Sequence, residues 1–105
     1  MTIGSTSVLM SVYGKDSADF LDACLRSLQM QTVKADEVIL VEDGPLSIPL
    51  RQVINKYEQE LNIVSVPLAV NVGLGSALNE GLKFCANELI IRMDADDIAV
   101  NDRIE

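Results

Sequence analysis

The chain predicts an α/β fold, a three-layer βαβαβαβ arrangement around a mainly parallel sheet. Three observations carry this reading. Short apolar runs alternate with stretches whose apolar residues recur every three or four positions. Gly, Pro, Asp and Asn cluster at the changeovers. The segments between the runs are long enough for crossover helices, so consecutive strands must be parallel and their crossovers right-handed. With 105 residues and 49% hydrophobic side chains, the chain is one globular domain, near the lower end of size for this class.

The first strand is Ser7-Val8-Leu9-Met10-Ser11-Val12, broken by Gly14 and Asp16. Asp16 or Ser17 can cap the following helix, whose apolar stripe is Phe20, Leu21, Cys24, Leu25 and Leu28. Val38-Ile39-Leu40-Val41 is the second strand, closed by Glu42-Asp43-Gly44-Pro45. Pro49 suits the first turn of a second helix, with Leu50, Val53, Ile54, Tyr57 and Leu61 facing inward. Ile63-Val64-Ser65-Val66 is the third strand, stopped by Pro67. The loop Asn71-Val72-Gly73-Leu74-Gly75 leads into a third helix with Leu74, Ala77, Leu78, Leu82 and Cys85 on one face. Leu89-Ile90-Ile91 then forms a short buried strand that feeds Arg92-Met93-Asp94-Ala95-Asp96-Asp97.

Charge and composition narrow the function. Sixteen acidic against eight basic residues give a net charge of −8, which excludes a nucleic-acid backbone as partner. A nucleotide remains compatible when a cation accompanies it. No apolar run is long enough to span a membrane, and Met1-Thr2-Ile3-Gly4-Ser5 lacks the basic and apolar regions of a signal peptide. Cys24 and Cys85 read as two buried thiols on different helices, and the absence of His excludes most soft-metal sites.

Ligands of open parallel sheets bind outside the carboxyl ends of the strands. Three such ends carry polar chemistry here. Ser11, Val12 and Tyr13 follow the first strand, where the ring can lie against a planar base or simply pack. Glu42 and Asp43 follow the second, where a carboxylate can accept from a base N–H or stay solvated. Asp94, Asp96 and Asp97 follow the fourth, and such crowded like charges need either water or a bound cation. Carboxylates at two ends and a ring at a third suit a nucleotide diphosphate neutralised by a hard divalent ion. Two other motif matches fail. Gly73-Leu74-Gly75 lacks the third glycine of a dinucleotide fingerprint, since Leu78 stands there. Asp94 to Glu105 has the length of an EF-hand loop, but Ile98 and Ala99 occupy positions that need an oxygen ligand and a glycine.

Four stretches in order carry a resemblance: Val8 to Tyr13, Val38 to Gly44, Asn71 to Gly81, and Arg92 to Asp97. Together they resemble the family 2 glycosyltransferases, which have the GT-A fold and invert the anomeric centre of a nucleotide-sugar donor. The resemblance covers nearly the whole chain. It implies that Ser11, Val12 and Tyr13 line the base pocket and that Asp43 accepts from the base. Asn71 and Gly73 would shape the loop beside the nucleotide. Asp94-Ala95-Asp96 would be the DxD motif, with Asp94 at the ribose or a metal-bound water and Asp96 ligating Mn²⁺ or Mg²⁺. The implied partners are a nucleotide-diphosphate sugar, expected to be a UDP-sugar, and a glycan or lipid-linked acceptor. The implied location is cytoplasmic, with peripheral attachment to the inner face of the membrane for the full enzyme.

Two departures stand out. Ala77-Leu78-Asn79 lacks an arginine that many members place near the donor, a pattern nearest to bacterial surface-polysaccharide transferases. The family's domains also run on well past the equivalent of Glu105, so residues 1–105 are expected to be the donor-binding portion, with the acceptor site and general base beyond residue 105. Apolar surface left on the sheet edge or last helix would then favour a homodimer. Three other readings remain. A sugar-phosphate nucleotidylyltransferase wants a glycine-rich basic loop after the first strand, where only Lys15 stands. A receiver-like binding module wants an acid after the third strand, where Ser65-Val66-Pro67 supplies none. The polypeptide by itself can also be a non-catalytic folding or interaction unit.

Overall fold

Alternation of strand and helix holds throughout the computed structural model, which describes residues 6–31, 35–85 and 89–94. The elements are β1 (Thr6–Tyr13), α1 (Ala18–Gln29), β2 (Glu37–Asp43), α2 (Ile48–Tyr57), β3 (Ile63–Pro67), α3 (Leu74–Leu82) and β4 (Leu89–Asp94). All neighbouring strands pair in parallel, in the order β3-β2-β1-β4. Among the described residues no helix is long and apolar enough to cross a membrane.

Strand parity sorts the core into two layers. Val8, Met10 and Val12 of β1, with Val38 and Leu40 of β2, face α1 and α2. Leu9, Ile39 and Val41 face α3 on the other side. Both faces of β1 and β2 are therefore covered, which is why these strands read as unbroken apolar runs rather than alternating ones. Two helices lie on one face and one on the other, giving the expected three layers.

The caps follow the sequence. The Ser17 hydroxyl accepts from the Phe20 amide at 3.3 Å and opens α1. Ser47 does the same for Leu50 at 3.4 Å, with Pro49 in the first turn of α2. Leu21, Cys24, Leu25 and Leu28 are buried on α1, whereas Phe20 is 61% exposed because it flanks that stripe. On α2, Leu50, Ile54 and Tyr57 are buried, followed by Leu61 beyond the helix, while Val53 packs at the margin. The third helix departs more. Its contact face is Ala77, Leu78 and Gly81, while Leu74 and Leu82 face outward. The helix lies so close to the sheet that a Cβ on Gly81 would stand 2.5 Å from Leu9 Cδ1 and 2.6 Å from Val41 Cγ2. Small residues one turn apart permit that approach; the larger side chains turn away from it. Cys85 lies past the end of α3, half-buried rather than buried, and donates to the Gly81 carbonyl at 3.7 Å. Both cysteines are free thiols, as expected.

Candidate functional site

The chain leaves β1 toward β2 on one side, while β4 pairs on the other side after crossing from β3. That arrangement makes the carboxyl ends of β1 and β4 a switch point, because the crossovers through α1 and α3 lie on opposite faces of the sheet. A cavity of about 420 Å³ opens at this end of the sheet, within the range of small-ligand sites. Tyr13, Asp43 and Asn71 line it, with Gly14, Gly44, Lys15 and Pro45 around them.

Three loops build its walls, and two glycines let them meet. A Cβ on Gly14 would stand 2.9 Å from the Pro45 carbonyl oxygen, so the loop after β1 packs directly on the loop after β2. Gly44 has φ +86°, and a Cβ there would stand 2.9 Å from the Asn71 nitrogen. The Asn71 side-chain amide donates to the Asp43 carbonyl at 3.3 Å. Asp43 ties the third loop in place, since its carboxylate accepts from the Val72 amide at 2.7 Å and the Gly73 amide at 3.1 Å. These charge-assisted bonds explain how an aspartate that is 4% exposed keeps company with an apolar sheet.

The two acids after Val41 were expected in a turn, and both lie within β2. Glu42 pairs in register with Val12 and Asp43 with Tyr13. Their side chains point to opposite faces. Glu42 is buried on the α2 side, where its carboxylate meets the Arg51 guanidinium at 2.5 and 3.4 Å. This contact holds the arginine's pKa above its ordinary value. Of the two acids, only Asp43 borders the cavity.

The other expected residues fall as follows. Tyr13 is 41% exposed at the cavity wall, a ring with a free face. Ser11 lies on the α3 side of β1 with 9% exposure. The Val12 side chain is wholly buried in the α1–α2 layer, so only its backbone can meet a ligand. Asn71 lines the cavity, and Gly73 precedes α3 with φ +92°, a backbone that favours glycine. Asp94 ends β4 as the register partner of Ser11, which starts the Asp-x-Asp run at the crevice. Ala95, Asp96 and Asp97 lie outside the described residues, and among the described residues no cluster of three metal-binding side chains occurs. The metal assignment therefore rests on donor chemistry: paired aspartates offer hard oxygen ligands that suit Mg²⁺ or Mn²⁺. Sequence reading missed Gly14 and Gly44 as close-approach positions, although both punctuate strand ends. Arg51 carried no signal, because its partner lies nine positions away in another element.

A parallel sheet in this order, with a polar cavity at the carboxyl ends of β1 and β2, is an α/β architecture of the kind whose ligands bind at the strand ends. The chain belongs to glycosyltransferase family 2: the model for Glycosyl transferase family 2 matches residues 7–105. It is 48% identical over 99 residues to the amylovoran biosynthesis glycosyltransferase AmsE of Erwinia amylovora, covering 94% of this chain and 37% of that protein. It is 46% identical over 99 residues to an Escherichia coli UDP-Gal:alpha-D-GlcNAc-diphosphoundecaprenol beta-1,3-galactosyltransferase, covering 94% of this chain and 36% of that one. The solved structure of S. aureus TarS 1-349 in complex with UDP matches with a TM-score of 0.83 and 28% identity, over 93% of this chain and 29% of that chain. The fold is thus the GT-A type of these structural neighbours. The chain spans little more than a third of the length of these curated relatives.

Proposed function

We propose that this chain binds the nucleotide-diphosphate part of a sugar donor, expected to be a UDP-sugar, in the crevice at the carboxyl ends of β1, β2 and β4. The supporting observation is the cavity bounded by the Tyr13 ring, Asp43 and Asn71 at the carboxyl ends of β1 and β2, with Asp94 in register with Ser11 on the other side of β1. Tyr13 offers a face for the base. Asp43 braces the Val72–Gly73 loop, and each of its oxygens keeps a second lone pair for a base N–H. Ser11 and the Val12 backbone would form the inner wall, with Asn71 and Gly73 along the side. Asp94-Ala95-Asp96 would bring hard ligands to the diphosphate. Family members of this fold commonly use a divalent metal. Bound Mn²⁺ or Mg²⁺ would neutralise the charge on the departing diphosphate.

In the whole protein the reading is an inverting transferase that extends a surface polysaccharide or lipid-linked glycan. The relatives named above act in such syntheses or carry UDP. In an inverting displacement an acceptor hydroxyl attacks the anomeric carbon while the bond to the diphosphate breaks, and a carboxylate base removes the hydroxyl proton. None of the residues assigned above is that base. A homodimer would cover Leu82, Phe84 and Ile90, which are exposed around the end of α3 and on β4.

A thermal-shift panel of UDP, GDP, dTDP and CDP, each with and without Mn²⁺, tests the reading. UDP at ~100 times its dissociation constant adds about 2.7 kcal/mol of stability. The expected result is a shift with UDP that needs the divalent ion. An equal shift with UDP in excess EDTA overturns the metal part, and no shift with any nucleotide overturns the whole.

A further inference from the structure

We propose that Lys15 binds the phosphate groups of the donor nucleotide and adds to the divalent ion the protein's own positive charge at the crevice. The inference rests on the nucleotide reading above and adds a residue to it. A net charge of −8 repels a diphosphate, so the mouth of its site needs local positive charge. Among the residues lining the cavity, Lys15 alone carries it.

Its charge is not cancelled by a neighbour. Among the described residues, Arg26, Arg51, Lys56 and Lys83 each pair with a carboxylate, whereas Lys15 and Arg92 have none within ion-pair distance, and of these two only Lys15 lines the cavity. Acids do stand close by, but their oxygens are turned to backbone. Asp16 accepts from the Tyr13 amide at 2.9 Å, and Asp43 accepts from Val72 and Gly73. Lys15 thus keeps an ammonium that no carboxylate among the described residues contacts directly, with all its donors open to a ligand.

Its position is also fixed. Residues 13–16 form a turn closed from both ends, by the Asp16 amide on the Tyr13 carbonyl at 3.0 Å and by the Asp16 carboxylate on the Tyr13 amide. Gly14 seats that turn against Pro45. The backbone of Lys15 is therefore set before any ligand arrives, and only its stem must order. A lysine on a flexible stem is a point charge for phosphate oxygens, with three donors and no directional fork.

UDP titrations in Mn²⁺ with the wild-type chain and with Lys15→Met, Lys15→Arg and Lys83→Met test this. Lys15→Met should weaken UDP about five- to tenfold at low salt without lowering Tm, the scale of one charge-assisted contact. The gap from wild type should narrow as NaCl rises, because screening acts on that contact. Lys15→Arg should recover most of the affinity. Lys83→Met, which changes the net charge equally but whose side chain pairs with Glu80, should bind UDP as the wild type does. Unchanged affinity in Lys15→Met, an equal loss in Lys83→Met, or a gap that salt does not alter overturns the assignment of Lys15 alone. A wild-type chain that binds no UDP instead overturns the nucleotide reading beneath it.

Discussion

Ser11 of β1 stands opposite Asp94 of β4 in the parallel register, at the point where the sheet's connections part to opposite faces. β1 is the central strand of this junction, because β2 flanks it on the other side with Tyr13 opposite Asp43. Two neighbouring strand pairs thus place a hydroxyl, a ring and two aspartates along one edge of the sheet. Asp94, the first acid of the Asp-x-Asp run, is the last described residue of β4.

The first prediction concerns that run. Asp96→Asn should abolish the Mn²⁺-dependent shift with UDP while leaving the unliganded Tm unchanged or slightly higher. Removing one of three crowded like charges relieves repulsion when no ion is bound. Thermal melts with UDP and Mn²⁺, against melts in EDTA, check both halves. A variant that unfolds would make Asp96 a structural residue and remove the metal assignment.

Gly44→Ala tests whether the loops form one unit. Its φ of +86° disfavours any side chain, and the new Cβ would press on the Asn71 backbone at 2.9 Å. Left-handed backbone alone costs about 1–2 kcal/mol, and the contact adds to it. Urea denaturation should show at least that loss, and UDP titration should show weaker binding because the Asn71–Gly73 loop shifts. Lost stability with unchanged UDP affinity would separate that loop from the site.

Gly81→Ala asks a question of packing. Gly81 is the penultimate residue of α3, where an alanine gains at most about 1 kcal/mol of helix propensity over glycine. Here the added methyl meets Leu9 and Val41, which are wholly or almost wholly buried and have little room to move. Overpacking costs typically 1–3 kcal/mol, so the net effect should be a destabilisation of up to about 2 kcal/mol. Equilibrium unfolding with an unchanged m-value checks it, and a more stable variant would mean that α3 can ride outward freely.

Asp22 sets an acid limb. It accepts from the Tyr57 hydroxyl at 2.9 Å and from Lys56 at 3.1 Å, linking α1 to α2. The Tyr57 hydrogen bond, then the Lys56 one, hold its pKa below the ordinary value. A depressed carboxylate stabilises the fold above the unfolded pKa, near 4, and loses that contribution as pH falls through the folded value. The site is partly open to solvent, so the contribution is up to about 1 kcal/mol. Asp22→Asn should be less stable than wild type at about pH 7, and the difference should shrink as pH falls below about 4. A constant difference across that range would place the effect in packing rather than charge.

The order and class of the elements were legible in the chain because both are local properties. Apolar runs of strand length, serine caps and a proline in a first turn each act within a few residues, so β1, α1, α2 and β3 fall where the sequence places them. The acids at the ends of β2 and β4 were legible for the same reason, as was Tyr13. Only the tertiary structure decided that β4 pairs with β1, because register and neighbour choice arise between residues far apart in sequence. Likewise it alone decided that Glu42 and Asp43 are buried strand residues, one matched by Arg51 and the other by two loop amides. Periodicity reads a glycine as a gap in a pattern, so it could not mark Gly14, Gly44 or Gly81 as points where an added Cβ would stand within 3 Å of backbone or side chains from other elements. It could not single out Lys15 either, since an unneutralised charge is defined by where the surrounding carboxylates point.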